Sequence, residues 1–398
     1  MSEINYITRS LGKPNGASQS ALDVLVALSS TRHMVNLIYI DSQNTPSSLD
    51  GVIIKTKNIF QGPTCKKFPK LSHIRTITKN TIRWIDSKVN DRLRVNKLLK
   101  HTEPNLTLVN GLGADRYWDR IRKNMTSNQN TILIVRESPR HFTNHDDKNI
   151  INNIKEILNK YDYIIFVSDI LRYEWNKISG IEPNRTFYIP NCAHENKTNH
   201  LLSISKQKII GNLEYNYDMF NILCIGSIQH RKGQDIIINI ADEIHNIHDR
   251  INIYFVGPVL DKRFLKLLKE QMKNLKKKNR TFILGPRSNA LEYIYGADML
   301  IVPSRAEAFQ RTILESMALG TPTIASDVDG INEQLNDNKS GFFFNIDSPL
   351  SMLEPIKKIF HKPEVRKSIG RASRSRYNRK FSRIQQIKRI HDMLDSVL

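Results

Sequence analysis

Glu307 and Glu315 stand with seven residues between them in the stretch "PSRAEAFQRTILESMALGTP", which runs from 303 to 322. A carboxylate accepts hydrogen bonds from vicinal hydroxyls. A helix start exposes unpaired N–H groups and the positive end of a dipole, which together favour an anion. Two acids flanking such a start suit a ligand with hydroxyls on either side of a phosphate. Ribose, diphosphate and hexose in a nucleotide sugar have that layout. Taken alone, the spacing also fits two solvent-facing helix acids.

The elements that would position these acids can be read from the hydrophobic pattern. "SRAEA" is a loop, and a helix begins near Phe309 to Thr312. Ile313, Leu314, Met317 and Ala318 fall on one arc, Gly320 suits the residue after the helix, and Pro322 stops any continuation. Short apolar runs recur along the whole chain. The first series covers 4–8, 34–40, 106–110, 131–135, 163–168 and 186–190. The second covers 220–228, 251–257, 280–285, 297–303, 321–326 and 341–344. Helical patterns lie between them, over 18–30 and 147–160 in the first series and over 234–246, 262–278, 289–296 and 311–319 in the second.

Strands alternating with helices predict parallel sheets covered on both faces, and two series predict two doubly wound α/β domains. The polar stretch 193–218 reads as the linker between a domain over 1–192 and one over 219–379. Ligands of open α/β sheets bind at the carboxyl ends of strands, so the expected site is the cleft between domains.

Composition bounds the partners. The chain has 398 residues, 39% of them apolar, and a net charge of +21. Such a balance admits nucleic acid, an anionic membrane or a phosphate-bearing substrate, as well as a merely solvated surface. Cys65, Cys192 and Cys224 form no CxxC pair, which fits neither a disulfide framework nor a zinc site. The N-terminus lacks the basic-then-apolar order of a signal peptide, and no apolar run is long enough for a transmembrane helix. A cytoplasmic protein is expected. The stretch 66–100 is basic with Phe68, Ile74, Ile77, Ile82, Trp84 and Ile85 interspersed, which adds the expectation of peripheral contact with anionic lipid at the inner membrane face.

The segment after 303 resembles the signature of family 4 (group 1) glycosyltransferases, a retaining group with the GT-B fold of two Rossmann-like domains. That signature runs P-S-x-x-E-x-F-G, then E-A-M-A-x-G-x-P-V-I-A-S, then G-x-x-E and a further glycine. Pro303, Ser304, Glu307, Phe309, Glu315, Met317, Ala318, Gly320, Pro322, Ala325, Ser326, Gly330, Glu333 and Gly341 match in order. "CIGSIQHRKGQD" (224–235) is similar to the family's first strand and basic diphosphate loop, with Lys232 and Gly233 matching and Arg231 adjacent. "NGASQSALDVLVALSS" (15–30) resembles its Gly-rich first loop, and the tail about 380–398 resembles the helix that crosses back to the first domain.

The resemblance implies transfer of a hexosyl group from a nucleotide-diphosphate sugar to a glycan, lipid-linked or other hydroxyl acceptor, with retention, no metal and no further cofactor. It implies that Lys232, Arg231, Ser227 and the backbone of Phe309, Gln310, Arg311 and Thr312 hold the diphosphate. Glu315 would hold the ribose, Glu307 a hexose hydroxyl, and the backbone of Pro286 and Arg287 the base. Gly16 would face the cleft, and His141 is the candidate for a first-domain histidine beside it. "DVD" (327–329) falls on a turn of the pattern rather than on a metal pair. Ala308 and Gln310 replace glycines, Ser227 replaces an arginine and Cys192 a glycine. These departures keep open a relative that binds nucleotide sugar without turnover. A nucleic-acid-binding protein would explain the charge but not the ordered Gly, Pro and Glu pattern, and no nucleic-acid motif is present.

Overall fold

The structure, a computed structural model, describes residues 2–8, 16–31, 33–40, 52–54, 104–122, 129–139, 148–336 and 338–398. His141, Cys65 and the basic stretch 66–100 lie outside the described residues. The chain divides into two compact units, Met1–Asn191 with Gln386–Leu398, and Cys192–Gln385.

The first unit is built on a seven-stranded sheet. Its strands are β1 (Glu3–Thr8), β2 (Met34–Ile40), β3 (Val52–Ile54), β4 (Leu106–Asn110), β5 (Asn130–Val135), β6 (Tyr163–Phe166) and β7 (Thr186–Tyr188), in the order β3-β2-β1-β4-β5-β6-β7. All six apolar runs of the first series are strands, and these pair in parallel. The short β3 was not expected. It runs antiparallel at the edge beside β2, and three residues are too few to carry a periodic signal. The helix Arg383–Val397 supplies Ile390, Met393, Leu394 and Val397 to a core that also contains Ile4, Tyr6, Leu108 and Ile134.

The second unit holds a six-stranded sheet of β8 (Phe220–Ile225), β9 (Ile251–Val256), β10 (Thr281–Gly285), β11 (Met299–Val302), β12 (Thr323–Ser326) and β13 (Phe342–Phe344). Every pairing is parallel, in the order β10-β9-β8-β11-β12-β13. Each residue of β8 and β9 is buried, as expected of strands covered on both faces. The fold is therefore two Rossmann-like units, each winding outward in both directions from its first strand.

Residues 193–218 are not an irregular connection. They contain the helices Glu195–Leu202 and Lys206–Ile210, and belong wholly to the second unit. Thr198, Leu201 and Ile209 are buried, the Lys206 ammonium donates to the Ala297 carbonyl at 2.6 Å, and the Tyr295 hydroxyl donates to the Ile204 carbonyl at 3.1 Å. So few apolar positions in a polar stretch give no readable period. The helix expected over 234–246 is also interrupted. It forms Gln234–Asn239 and Ala241–Ile247, separated by Ile240 at φ −115° and ψ 17°.

Ala241–Ile247 carries His245, which is 1% exposed. Burial outweighs the Asp242 charge and pushes the imidazole down from 6.5 to about 4. Between those values the unfolded chain takes up a proton that the folded chain refuses. The resulting stability is therefore complete above about pH 6.5 and declines as pH falls toward 4. Urea unfolding at pH 7.5 and 4.5 is expected to show a pH-dependent loss smaller by about 2 kcal/mol in His245→Leu than in the unsubstituted chain. Equal losses in the two proteins would contradict this account.

Candidate functional site

Strand order changes direction at β8 and β11, which are neighbours in the second sheet. In an open parallel sheet the loops leaving such a pair diverge and leave a crevice at the carboxyl ends. The loop after β8 carries Ser227, Arg231 and Lys232, and the loop after β11 carries Ser304, Glu307 and Gln310. Topology thus brings together groups about 75 residues apart in sequence.

The two loops touch at Gly233. This residue closes the turn His230–Lys232 in the left-handed region, at φ 70°. A Cβ there would lie 1.9 Å from the Pro303 carbonyl oxygen. Both the backbone angle and the close approach therefore require glycine. Further bonds join the loops. The Arg305 N–H donates to the Arg231 carbonyl at 2.8 Å, and the Arg231 guanidinium donates to the Ala306 carbonyl at 2.8 Å. Arg305 also makes a two-pronged pair with Asp235, at 2.9 and 2.7 Å.

Glu307, 7% exposed, is the centre of the cluster. Its Oε1 accepts from Arg231 Nη1 at 2.7 Å, from the Ser304 hydroxyl at 3.2 Å, and from Lys232 Nζ. Lys232 Nζ also donates to Gln310 Oε1 at 3.1 Å. Below the carboxylate, the Glu307 N–H donates to Asp329 Oδ2 at 3.1 Å and the Glu307 carbonyl accepts from the Gly330 N–H at 3.2 Å. Asp329 of "DVD" thus holds the loop backbone, and it adopts φ 42°, one of two positive values among the described non-glycine residues. Formal charges in the trio Glu307, Arg231 and Lys232 sum to +1.

The helix Arg311–Leu319 begins beside this cluster and ends on Gly320 in the left-handed region. Glu315 lies one turn in and is paired with Arg311, whose Nε stands 3.3 Å from Glu315 Oε1. Phe309 is buried edge-on against Phe381, and Thr312 occupies the first turn. The backbone of Gln310 is already engaged: its N–H donates to Gln334 Oε1, and its carbonyl accepts from Gln334 Nε2, both at 2.8 Å. Gln310 N–H was expected to hold an anion; the Gln334 side chain takes that donor instead. Gln310 has φ −79° and ψ 115°, extended backbone that any residue adopts, so its replacement of a glycine carries no backbone strain.

The remaining expected residues lie apart from this network. The Ser227 hydroxyl accepts from Gln229 Nε2 at 2.6 Å, and its carbonyl from Gln234 Nε2 at 2.9 Å. Past β10, the Arg287 guanidinium binds Glu214 Oε1 at 2.6 and 3.0 Å and also the Pro286 carbonyl at 3.2 Å. Proline has no N–H, so its carbonyl is the backbone group offered there, and Arg287 shares it. Gly16 opens the helix Gly16–Ser29 of the first unit. Sequence reasoning missed Asp329 and Gln334 and gave Ser304 no role beyond its place in the signature. Each bonds to a loop residue or to backbone, a role without periodic signature.

Among the described residues, no helix is long and apolar enough to cross a membrane. Residues 205–376 match the family model described as glycosyl transferases group 1. An uncharacterised glycosyltransferase of Methanocaldococcus jannaschii is 26% identical over 201 residues, 49% of this chain and 53% of that protein. N-acetyl-alpha-D-glucosaminyl L-malate synthase of Bacillus anthracis is 23% identical over 151 residues, 38% of each chain. The chain thus spans about half or less of the length of these curated relatives.

Solved structures cover more of it. Anabaena HepE in complex with UDP superposes with a TM-score of 0.73 at 17% identity, over 99% of this chain and 100% of that one. Sucrose-phosphate synthase of Thermosynechococcus elongatus gives 0.68 at 17% identity, over 100% and 99%. Both likenesses are of fold, the GT-B pair of Rossmann-like units. The segment that matches the glycosyl transferases group 1 model, residues 205–376, is the one that holds Arg231, Lys232, Glu307 and Glu315.

Proposed function

We propose that the second unit binds a nucleotide-diphosphate sugar and that the chain transfers its hexosyl group, with retention, to a hydroxyl of a glycan or lipid-linked acceptor. The observation that carries this reading is the convergence of Arg231 and Lys232 on Glu307 at the start of the helix Arg311–Leu319. A relative named as a glycosyltransferase and a structural neighbour with bound UDP support it.

When the bond from sugar to diphosphate breaks, negative charge builds on the leaving oxygens. Arg231 and Lys232 supply fixed positive charge, and the first-turn N–H groups of Arg311 and Thr312 supply dipoles. Lys232 acts as a point charge and Arg231 as a planar fork, so neither replaces the other. Glu307 holds the two cations in register and accepts a hexose hydroxyl. Glu315 accepts from the ribose, with Arg311 orienting its carboxylate. Because the acceptor attacks on the face the diphosphate leaves, no protein nucleophile is assigned. His141 remains the proposed first-unit group, and the basic stretch 66–100 the proposed contact with anionic lipid. A binder without turnover is the second reading, favoured by the Gln310 side chain at a position the family fills with glycine.

Glu307→Ala and Lys232→Ala are each expected to lower kcat/KM by at least about 100-fold, the scale of one lost transition-state contact. Rates equal to the unsubstituted enzyme in both variants would remove this site. A panel of UDP, GDP and ADP sugars, read by calorimetry and then by turnover, separates the enzyme from the binder. Proton NMR of the product is expected to show the donor's anomeric configuration, and an inverted product would refute retention. The chain is also expected to sediment with anionic vesicles at low salt and to remain in the supernatant with neutral ones; failure to bind the anionic vesicles would remove the lipid contact.

A further inference from the structure

Gln334 is a fully buried polar side chain, at 0% exposure, in the short helix Ile331–Gln334. Its carboxamide faces the backbone of Gln310 and satisfies both groups there, one accepted and one donated bond, each 2.8 Å. Gln310 is the residue immediately before the helix Arg311–Leu319, and its own side chain makes no capping bond to that helix. That side chain instead meets Lys232 Nζ. Gln334 is itself anchored from behind: Arg376 donates to the Gln334 carbonyl and to the Glu333 carbonyl, at 2.8 Å each. A chain of direct bonds thus runs from the helix Pro363–Lys380 through Gln334 and Gln310 to the Lys232 ammonium.

We infer that Gln334 is a positioning residue, which fixes the start of the helix Arg311–Leu319 and, through Gln310, the lysine beside Glu307. The inference rests on the nucleotide-binding reading above for its consequence, though not for its geometry. The carboxamide supplies a donor and an acceptor side by side at this site. An apolar side chain would leave a buried N–H and a buried carbonyl without partners, which is costly in an interior. A carboxylate would still accept from the Gln310 N–H but would face the Gln310 carbonyl with a second oxygen. Protonating that carboxyl returns the missing donor, and burial pushes its titration upward.

Two variants test this, Gln334→Leu and Gln334→Glu, with folding followed by circular dichroism. Hydrogen exchange is read on a peptide spanning 307–314 in the nucleotide-free protein, and UDP, GDP and ADP affinities are measured by calorimetry. In Gln334→Leu, exchange at the helix start is expected to rise and the affinity for the preferred nucleotide to fall by at least about tenfold. In Gln334→Glu, both losses are expected at pH 8 and both are expected to recover toward the unsubstituted protein at pH 5.5. Should Gln334→Leu fail to fold, the two pH arms of Gln334→Glu decide the matter. Unchanged exchange and affinity in Gln334→Leu, or no pH dependence in Gln334→Glu, would overturn the inference. If the unsubstituted protein binds none of the three nucleotides, the functional reading fails, while the exchange arm still decides whether Gln334 holds the helix start.

Discussion

The approach of Gly233 to Pro303 is the constraint on which the second unit's cluster depends. With a Cβ at Gly233 only 1.9 Å from the Pro303 carbonyl oxygen, no other residue lets the β8 loop reach the β11 loop at this distance. Everything chemical follows from that contact. Arg231 and Lys232 immediately precede the glycine, and Glu307 lies four residues past the proline. The parallel pairing of β8 with β11 sets the strands side by side, but the loops would diverge without this pinch. Gly257 plays a similar part behind it, since a Cβ there would lie 1.9 Å from the Gly226 carbonyl oxygen.

The helix that starts at the cluster is held with equal tightness at its other end. Gly320 follows Leu319 in the left-handed region, and a Cβ on Gly370 would lie 2.2 Å from the Gly320 carbonyl oxygen. The helix Pro363–Lys380 therefore packs directly on the end of Arg311–Leu319, and its Arg376 reaches the backbone of Glu333 and Gln334. Rigid support of this kind matters where charge must be preorganised. A dipole or cation that has to move during a reaction loses part of what it stabilises.

Much of this architecture was legible in the amino-acid order, for a definite reason. Strands buried on both faces are near-continuously apolar, so "FNILCI" and "INIYFV", each with a single buried asparagine, announce themselves as runs rather than as alternations. Glycines at loop contacts and a helix end, such as Gly233 and Gly320, are equally visible. What stayed hidden was polar and long-range. The buried carboxamide of Gln334 finds its partner 24 residues away, and Asp329 holds Glu307 from 22 residues away. Nothing in composition or period marks either residue. The helices over 195–210 were obscured for the opposite reason, since Leu201 and Ile209 bury a face too sparse to register as one.

Net charge explains little of the cluster, despite a value of +21. Exposed pairs such as Lys357 with Glu354, 3.1 Å apart, contribute at most about 1 kcal/mol each. The trio at Glu307 differs because a buried carboxylate must be compensated or it would not stay ionised. Two cations converge on Glu307 beside a helix start, and the buried Asp329 carboxylate lies on the Glu307 N–H close by. Arg231 and Lys232 stand side by side on loops pinned by glycine, and the Glu307 carboxylate bonded to both offsets their repulsion.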